Sequence, residues 1–149
     1  MRLAYLVVGC LPVLGQTSRV SPVTKVPGEK VTLEIAAKSQ PERAPVALHW
    51  EVIFPAQLME TEGKAEIGSA ARNSGKSLQC RLLNPHSYGC VLSGGNNPIT
   101  DGQIAIFYFG IRTTAEAGTT VLRIERAVTT TSDSKVFSLD DTEAIVIIR

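Results

Sequence analysis

The stretch Val46–Phe54 reads VALHWEVIF, and its side chains alternate between two sets along the chain. Successive side chains of a strand point to opposite faces of a sheet, so this alternation predicts a strand with one buried face. The set expected to face a core consists of Val46, Leu48, Trp50, Val52 and Phe54. Pro55 follows directly and is expected to end the strand, because proline has no backbone N–H to donate. A half-buried β-strand is therefore the starting point for the fold.

The same alternation recurs along the chain. In Lys30–Ala36 it places Val31, Leu33 and Ile35 on the inner face. Further strands are predicted at 20–26, 64–67, 103–111, 119–128 and 143–148, with a hairpin at 80–90 and a flexible loop at 71–76. The one segment with helical propensity, 114–117, is too short to count as a helix. About nine strands without a long helix predict an all-β fold, a two-sheet β-sandwich.

Composition limits the classes of function. The chain has 149 residues, the size of one domain, and its formal net charge is +1. A charge this small argues against a nucleic-acid partner or an anionic membrane. The sequence holds only two histidines, His49 and His86, and neither an HExxH pattern nor a G-x-S-x-G elbow. We therefore expect no enzyme activity, no metal and no cofactor.

The N-terminus has the pattern of an export signal. Met1-Arg2 precedes an apolar run that ends at Leu14, and the small residue Gly15 follows. We predict a signal peptide over residues 1–15, cleaved after Gly15, and one domain over residues 16–149. Two alternatives stay open. In the first, the segment VVGC resembles a bacterial lipobox, and lipidation at Cys10 would attach the protein to a membrane. In the second, the apolar run is a buried first strand of the domain.

Cys80 and Cys90 remain after that cleavage. The segment between them is centred on Asn84-Pro85-His86-Ser87, which are turn-forming residues, so two strands that meet there place residue 80 opposite residue 90. A cross-strand disulfide fits that geometry and an oxidising compartment. A zinc site is disfavoured because the spacing is not CxxC and His86 is the one nearby imidazole. Trp50 is expected in the core and not as a platform for stacking sugars.

Several segments together resemble cohesin domains. Pro27–Leu33, PGEKVTL, resembles the opening of these domains, and Ala47–Leu58, ALHWEVIFPAQL, is similar to their third strand. Asp101–Phe109, DGQIAIFYF, and Ala117–Leu122, AGTTVL, resemble two later strands, and all four segments occur in the family's order. The Cys80/Cys90 pair is not part of the pattern of cellulosomal cohesins.

The resemblance implies a jelly-roll β-sandwich of nine strands, related in fold to carbohydrate-binding modules. It also implies a secreted, non-catalytic binding module of a bacterium. Its partner would be a dockerin-like protein bound through one sheet face. Two alternatives stay open: a carbohydrate-binding module for polysaccharide, and a structural or adhesion domain of the cell envelope. In cohesins, the strands that correspond to 46–54, 103–111 and 119–128 share the dockerin-binding sheet. The implied binding face therefore consists of His49, Glu51, Ile53, Ile106, Tyr108, Arg123 and Glu125.

Overall fold

The computed structural model describes residues 2–8, 22–38 and 44–149. In chain order the strands are β1 Arg2–Val8, β2 Val23–Lys25, β3 Lys30–Lys38, β4 Pro45–Ile53, β5 Met59–Ile67, β6 Ser77–Asn84, β7 Ser87–Ser93, β8 Gly102–Ile111, β9 Gly118–Thr131, β10 Val136–Ser138 and β11 Thr142–Ile148. One short helix, α1 Ser69–Asn73, lies between β5 and β6. No helix within these described ranges is long and apolar enough to cross a membrane.

The strands form two sheets. The smaller sheet has the order β1-β3-β8-β5, and the larger has the order β2-β11-β9-β4-β7-β6, with β10 paired to β9. Neighbouring strands are antiparallel except β2 and β11, which run parallel. The predicted all-β, two-sheet sandwich is confirmed. The described part of the chain holds eleven strands against the nine or so expected.

The core lies between the sheets and follows the alternation seen in the sequence. On β3, Val31, Leu33 and Ile35 are fully buried. The inner residues of β4 from Leu48 onward are also buried, and Trp50 at their centre is 0% exposed. Val46, which was expected in the core, is half-buried beside a bulge in the pairing of β4 with β9. The prediction that Trp50 belongs to the core is confirmed. Because each sheet contributes one apolar face, the hydrophobic effect holds the two layers together.

The segment predicted as a flexible loop at Ala71–Lys76 is in fact folded. Its beginning belongs to helix α1, where Ala71 is completely buried. Lys76 is 6% exposed, and its Nζ donates hydrogen bonds to the carbonyl oxygens of Gly94, at 2.7 Å, and Gly95. The sequence prediction was wrong because a five-residue helix shows no hydrophobic periodicity. The position of α1 is set by its packing against β8 and by the hydrogen bonds of Lys76.

At the N-terminus, β1 pairs with β3 from Arg2↔Lys38 to Val8↔Thr32 and forms the edge of the smaller sheet. This strand lies inside the segment that we predict to be a signal peptide, and that prediction stays a prediction. The cleavage position after Gly15 and the alternative lipid site Cys10 lie outside the described residues. The strand predicted at 20–26 is present as β2, and residues 20–21 are likewise outside the described part.

Candidate functional site

The hairpin of β6 and β7 forms one edge of the larger sheet. Its strands pair with Cys80 directly opposite Cys90, and the two cysteines are joined by a disulfide bond with their Cα atoms 4.2 Å apart. The turn lies at Pro85-His86, where the backbone N–H of His86 donates to the Asn84 side chain. The disulfide and the turn predicted from the sequence are thus both confirmed.

The seven residues of the implied binding face do not lie on one sheet. Strands β4 and β9 are neighbours, so His49, Glu51, Ile53, Arg123 and Glu125 share the outer face of the larger sheet. Ile106 and Tyr108 lie on β8, which belongs to the smaller sheet, between β3 and β5. Placing them in one patch with the others was therefore wrong. The shared sheet was implied by the resemblance to cohesins, and alternation could not test it, because alternation shows which side of a strand is buried but not the sheet to which the strand belongs.

We call the outer surface of β6, β7, β4 and β9 the hairpin face. Cross-strand neighbours there form rows that run across the four strands. One row contains Arg81, Gly89, Glu51 and Glu125, and the adjacent row contains Gln79, Val91, His49 and Val128. Ile53 and Arg123 pair on the other side of the first row. Five of the seven residues expected to bind therefore lie on this face.

Aliphatic side chains are exposed on the β6–β7 half of this face. Leu83 and Val91 are each 42% exposed, and few large hydrophobic residues in the described part of the chain are as exposed. The side chain of Leu83 lies over Gly89, where an added Cβ would be 3.0 Å from a Leu83 methyl carbon. Leu83 and Val91 were not among the residues predicted to bind. The alternation of Gln79, Arg81 and Leu83 around Cys80 was the available signal that these side chains share the outer face.

Most charged groups of the hairpin face are paired. Arg126 forms an ion pair with Glu51, and Arg123 lies 3.2 Å from Glu143 on β11 and 4.0 Å from Glu125. Arg126 has a φ of 51°, at the position where a bulge interrupts the pairing of β4 with β9. The hydrogen bond to Glu51 raises the pKa of the Arg126 guanidinium above its usual value, and the negative charge of Glu51 adds to this effect. These ion pairs partly neutralise the charges at the centre of the hairpin face and on its β9 side.

The opposite outer surface carries a different arrangement. The Tyr108 hydroxyl donates to Glu66 Oε2 at 3.1 Å. Loss of solvation raises the pKa of Tyr108, and the hydrogen bond and the charge of Glu66 raise it further. A cleft of about 630 Å3 opens beside Gly110 and is lined in part by Lys30, Glu60 and Tyr108. Within the described ranges no three His, Cys, Asp or Glu residues are grouped in a way that could hold a metal ion.

Comparison with known proteins identifies the type of fold. No protein-family model matches the chain, and no curated protein sequence matches it. Its structure is similar to a type I cohesin from Clostridium thermocellum solved in a complex with a dockerin, at 14% identity and a TM-score of 0.74 over 100% of both chains. It is also similar to the sixth cohesin of scaffoldin B from Acetivibrio cellulolyticus, solved with a dockerin, at 14% identity and a TM-score of 0.73 over 100% of both chains.

A third similar structure is a non-cellulosomal cohesin from the archaeon Archaeoglobus fulgidus. It shares 11% identity and a TM-score of 0.69, over 100% of this chain and 92% of that one. The two packed sheets place this chain among the jelly-roll β-sandwiches. Within that class it has the fold of cohesin modules, so the resemblance stated from the sequence is confirmed for the fold.

Proposed function

We propose that this chain is a non-catalytic module that binds a protein partner through the hairpin face. The observation that carries the proposal is the match in fold, over the full chain, to cohesins that were solved in complex with dockerins. The resemblance implies that β4 and β9 belong to the partner-binding sheet, and these strands form half of the hairpin face. The partner would be a dockerin-like module or another envelope protein.

The surface chemistry of the hairpin face supports this assignment. Protein interfaces combine a small apolar centre with a polar rim, and their binding energy is concentrated in a few side chains. Leu83 and Val91 supply exposed aliphatic surface, while ion pairs such as Arg126–Glu51 lie beside it. Ile106, on the other outer surface, is half-buried between β3 and β5. The hairpin face is thus the better candidate for docking.

A polysaccharide ligand is less well supported. Sugar-binding faces stack exposed aromatic rings on their ligands, and Trp50 is completely buried. We also propose that the module acts outside the cytoplasm. The Cys80–Cys90 disulfide supports this location, because such bonds persist in oxidising compartments, and the predicted signal peptide agrees with it.

Site-specific photocrosslinking tests the docking face. A photoreactive amino acid replaces Val91 in one chain and Ile106 in a matched control, and both are expressed in the native host. We expect a crosslinked protein from position 91 that is absent from position 106. That protein, identified by mass spectrometry and purified, should bind the wild-type chain and lose about tenfold in affinity with Val91→Asp. Crosslinks at position 106 alone, or at neither position, would refute the proposal.

A further inference from the structure

The charges of the hairpin face are unevenly neutralised at its two ends. Arg81 lies on the edge strand β6, is exposed, and takes part in no ion pair within the described part of the chain. Its cross-strand neighbour, Gly89, has no side chain. The next residue in that row, Glu51, is already engaged by Arg126. The β6 end therefore presents an unneutralised guanidinium.

The β9 end has the opposite imbalance. Glu125 and Glu143 both approach Arg123, while Arg126, the other arginine of β9, bonds to Glu51 and also feels the charge of Glu125. Three carboxylates therefore face two guanidinium groups at this end. Glu125 stands in the same cross-strand row as Arg81, three strands away. At about 4.8 Å per strand, the two ends of that row are separated by about 14 Å. The face is consequently polar along one direction, positive at β6 and negative at β9 and β11.

Each charged end lies beside aliphatic surface. Leu83 and Val91 flank Arg81. At the other end, Val121 on β9 pairs with Ile145 on β11, and both are half-buried, next to the pair Arg123–Glu143. A partner that covers these side chains also removes water from the charges between them. An unpaired charge in a desolvated interface is costly, so the partner has to supply the missing counter-charges.

From this pattern we infer the chemistry of the partner's docking surface, an inference that rests on the proposed function. That surface carries a carboxylate beside an aliphatic side chain where it meets Arg81. It also carries an ammonium or guanidinium group about 14 Å away where it meets Glu125, or about 19 Å away where it meets Glu143 on β11. The complementary charges fix the direction in which the partner lies across the strands. Arg81 thus acts as a specificity determinant at the edge of the face.

Two small probes of equal chain length test this inference on the full chain. Hexanoate and hexylammonium are titrated separately, and the methyl resonances of Leu83, Val91, Val121 and Ile145 are followed by NMR. We expect hexanoate to shift Leu83 and Val91 with a dissociation constant about three- to fivefold lower than that of hexylammonium. The reverse preference is expected at Val121 and Ile145. Equal dissociation constants at both ends would overturn the inference.

The variant Arg81→Gln should abolish the preference for hexanoate at Leu83 and Val91 and leave the other end unchanged. Arg72→Gln is the matched control, because Arg72 is an exposed arginine on α1, away from the hairpin face. A preference that survives Arg81→Gln would also overturn the inference. If the wild-type chain forms a dimer and Arg81→Gln abolishes it, the inference is overturned too. The hairpin face would then be covered by a second copy of the chain and not by a different protein.

This titration and the crosslinking test of the proposed function can fail separately. A crosslink at position 91 without a carboxylate preference would leave protein binding in place and remove the charge assignment. A carboxylate preference without any crosslink would leave the charge pattern of the face in place and remove the protein partner on which the inference rests.

Discussion

Trp50 and Cys90 lie directly opposite each other on β4 and β7, and both side chains are completely buried. Cys90 is bonded in turn to Cys80 on β6. Within the larger sheet, β6 is an edge strand whose one neighbour is β7. The disulfide therefore connects the strand that carries Arg81 to the centre of the core, and it holds the exposed edge of the hairpin face in place.

The double variant Cys80→Ala/Cys90→Ala should lower the free energy of unfolding by about 2–3 kcal/mol, because the bond closes a short loop in the unfolded chain. Urea denaturation followed by Trp50 fluorescence measures this change. The native fluorescence should also increase, since a disulfide next to an indole quenches its emission. With all variants prepared as the uncleaved full chain, Cys10→Ala leaves the Cys80–Cys90 bond intact and serves as the control. An unchanged urea midpoint would contradict the prediction.

Gly68, directly before α1, lies against the backbone of β8. A Cβ at this position would be 2.3 Å from the carbonyl oxygen of Gln103, and that backbone cannot move without disturbing the sheet. Gly68→Ala should therefore lower the free energy of unfolding by about 3 kcal/mol. Gly118→Ala is the matched control, because a Cβ there meets no atom within 4 Å. Thermal and urea denaturation of both variants give the comparison, and equal stabilities would refute the steric argument.

The local features of the fold were predictable from the sequence. Period-two alternation identified the inner faces of β3 and β4, down to the complete burial of Leu33 and Trp50. The turn residues around Pro85 placed Cys80 opposite Cys90. The buried face of a strand follows from the alternation of its side chains. The turn follows from a few neighbouring residues. Both can therefore be predicted from short stretches of sequence.

The long-range features were not predictable in this way. Ile106 and Tyr108 have the outward positions expected for β8, but β8 pairs with β3 and β5 and so lies in the other sheet. Which sheet a strand joins depends on pairing between segments far apart in the chain, and alternation does not record it. Leu83 and Val91 were missed for a related reason. Their exposure follows from the edge position of the hairpin, which only the strand order reveals.

Lys76 should make stability depend on pH. Burial lowers the pKa of its ammonium group below the usual 10.5. Between that lowered pKa and 10.5, the unfolded chain binds more protons than the folded chain, so the free energy of unfolding rises with pH across this window. Lys76→Met should remove this rise. Urea denaturation at several pH values measures it, with the exposed Lys30→Met as control. Equal slopes in wild type and Lys76→Met would contradict the prediction.

Export should remove strand β1. If cleavage occurs after Gly15, the exported chain begins at Gln16, and β3 loses its antiparallel neighbour from Thr32 to Lys38. The opposite edge of β3 keeps its pairing with β8, and its inner residues remain packed in the core. The chain of residues 16–149 should therefore fold with Trp50 still buried. Its backbone amides on β3 that faced β1 should exchange with deuterium faster than in the full chain.

Two measurements check this prediction. The intact mass of the exported protein should correspond to a chain that begins at Gln16, and hydrogen exchange should compare that chain with the full one. The amides of β3 that bond to β8 provide an internal control, because their exchange should not change. An exported protein that retains residues 2–8, or one that begins with a lipid-modified Cys10, would show that the signal peptide was assigned wrongly. In the first case β1 would be a permanent edge strand, and its backbone pairing would continue to protect β3.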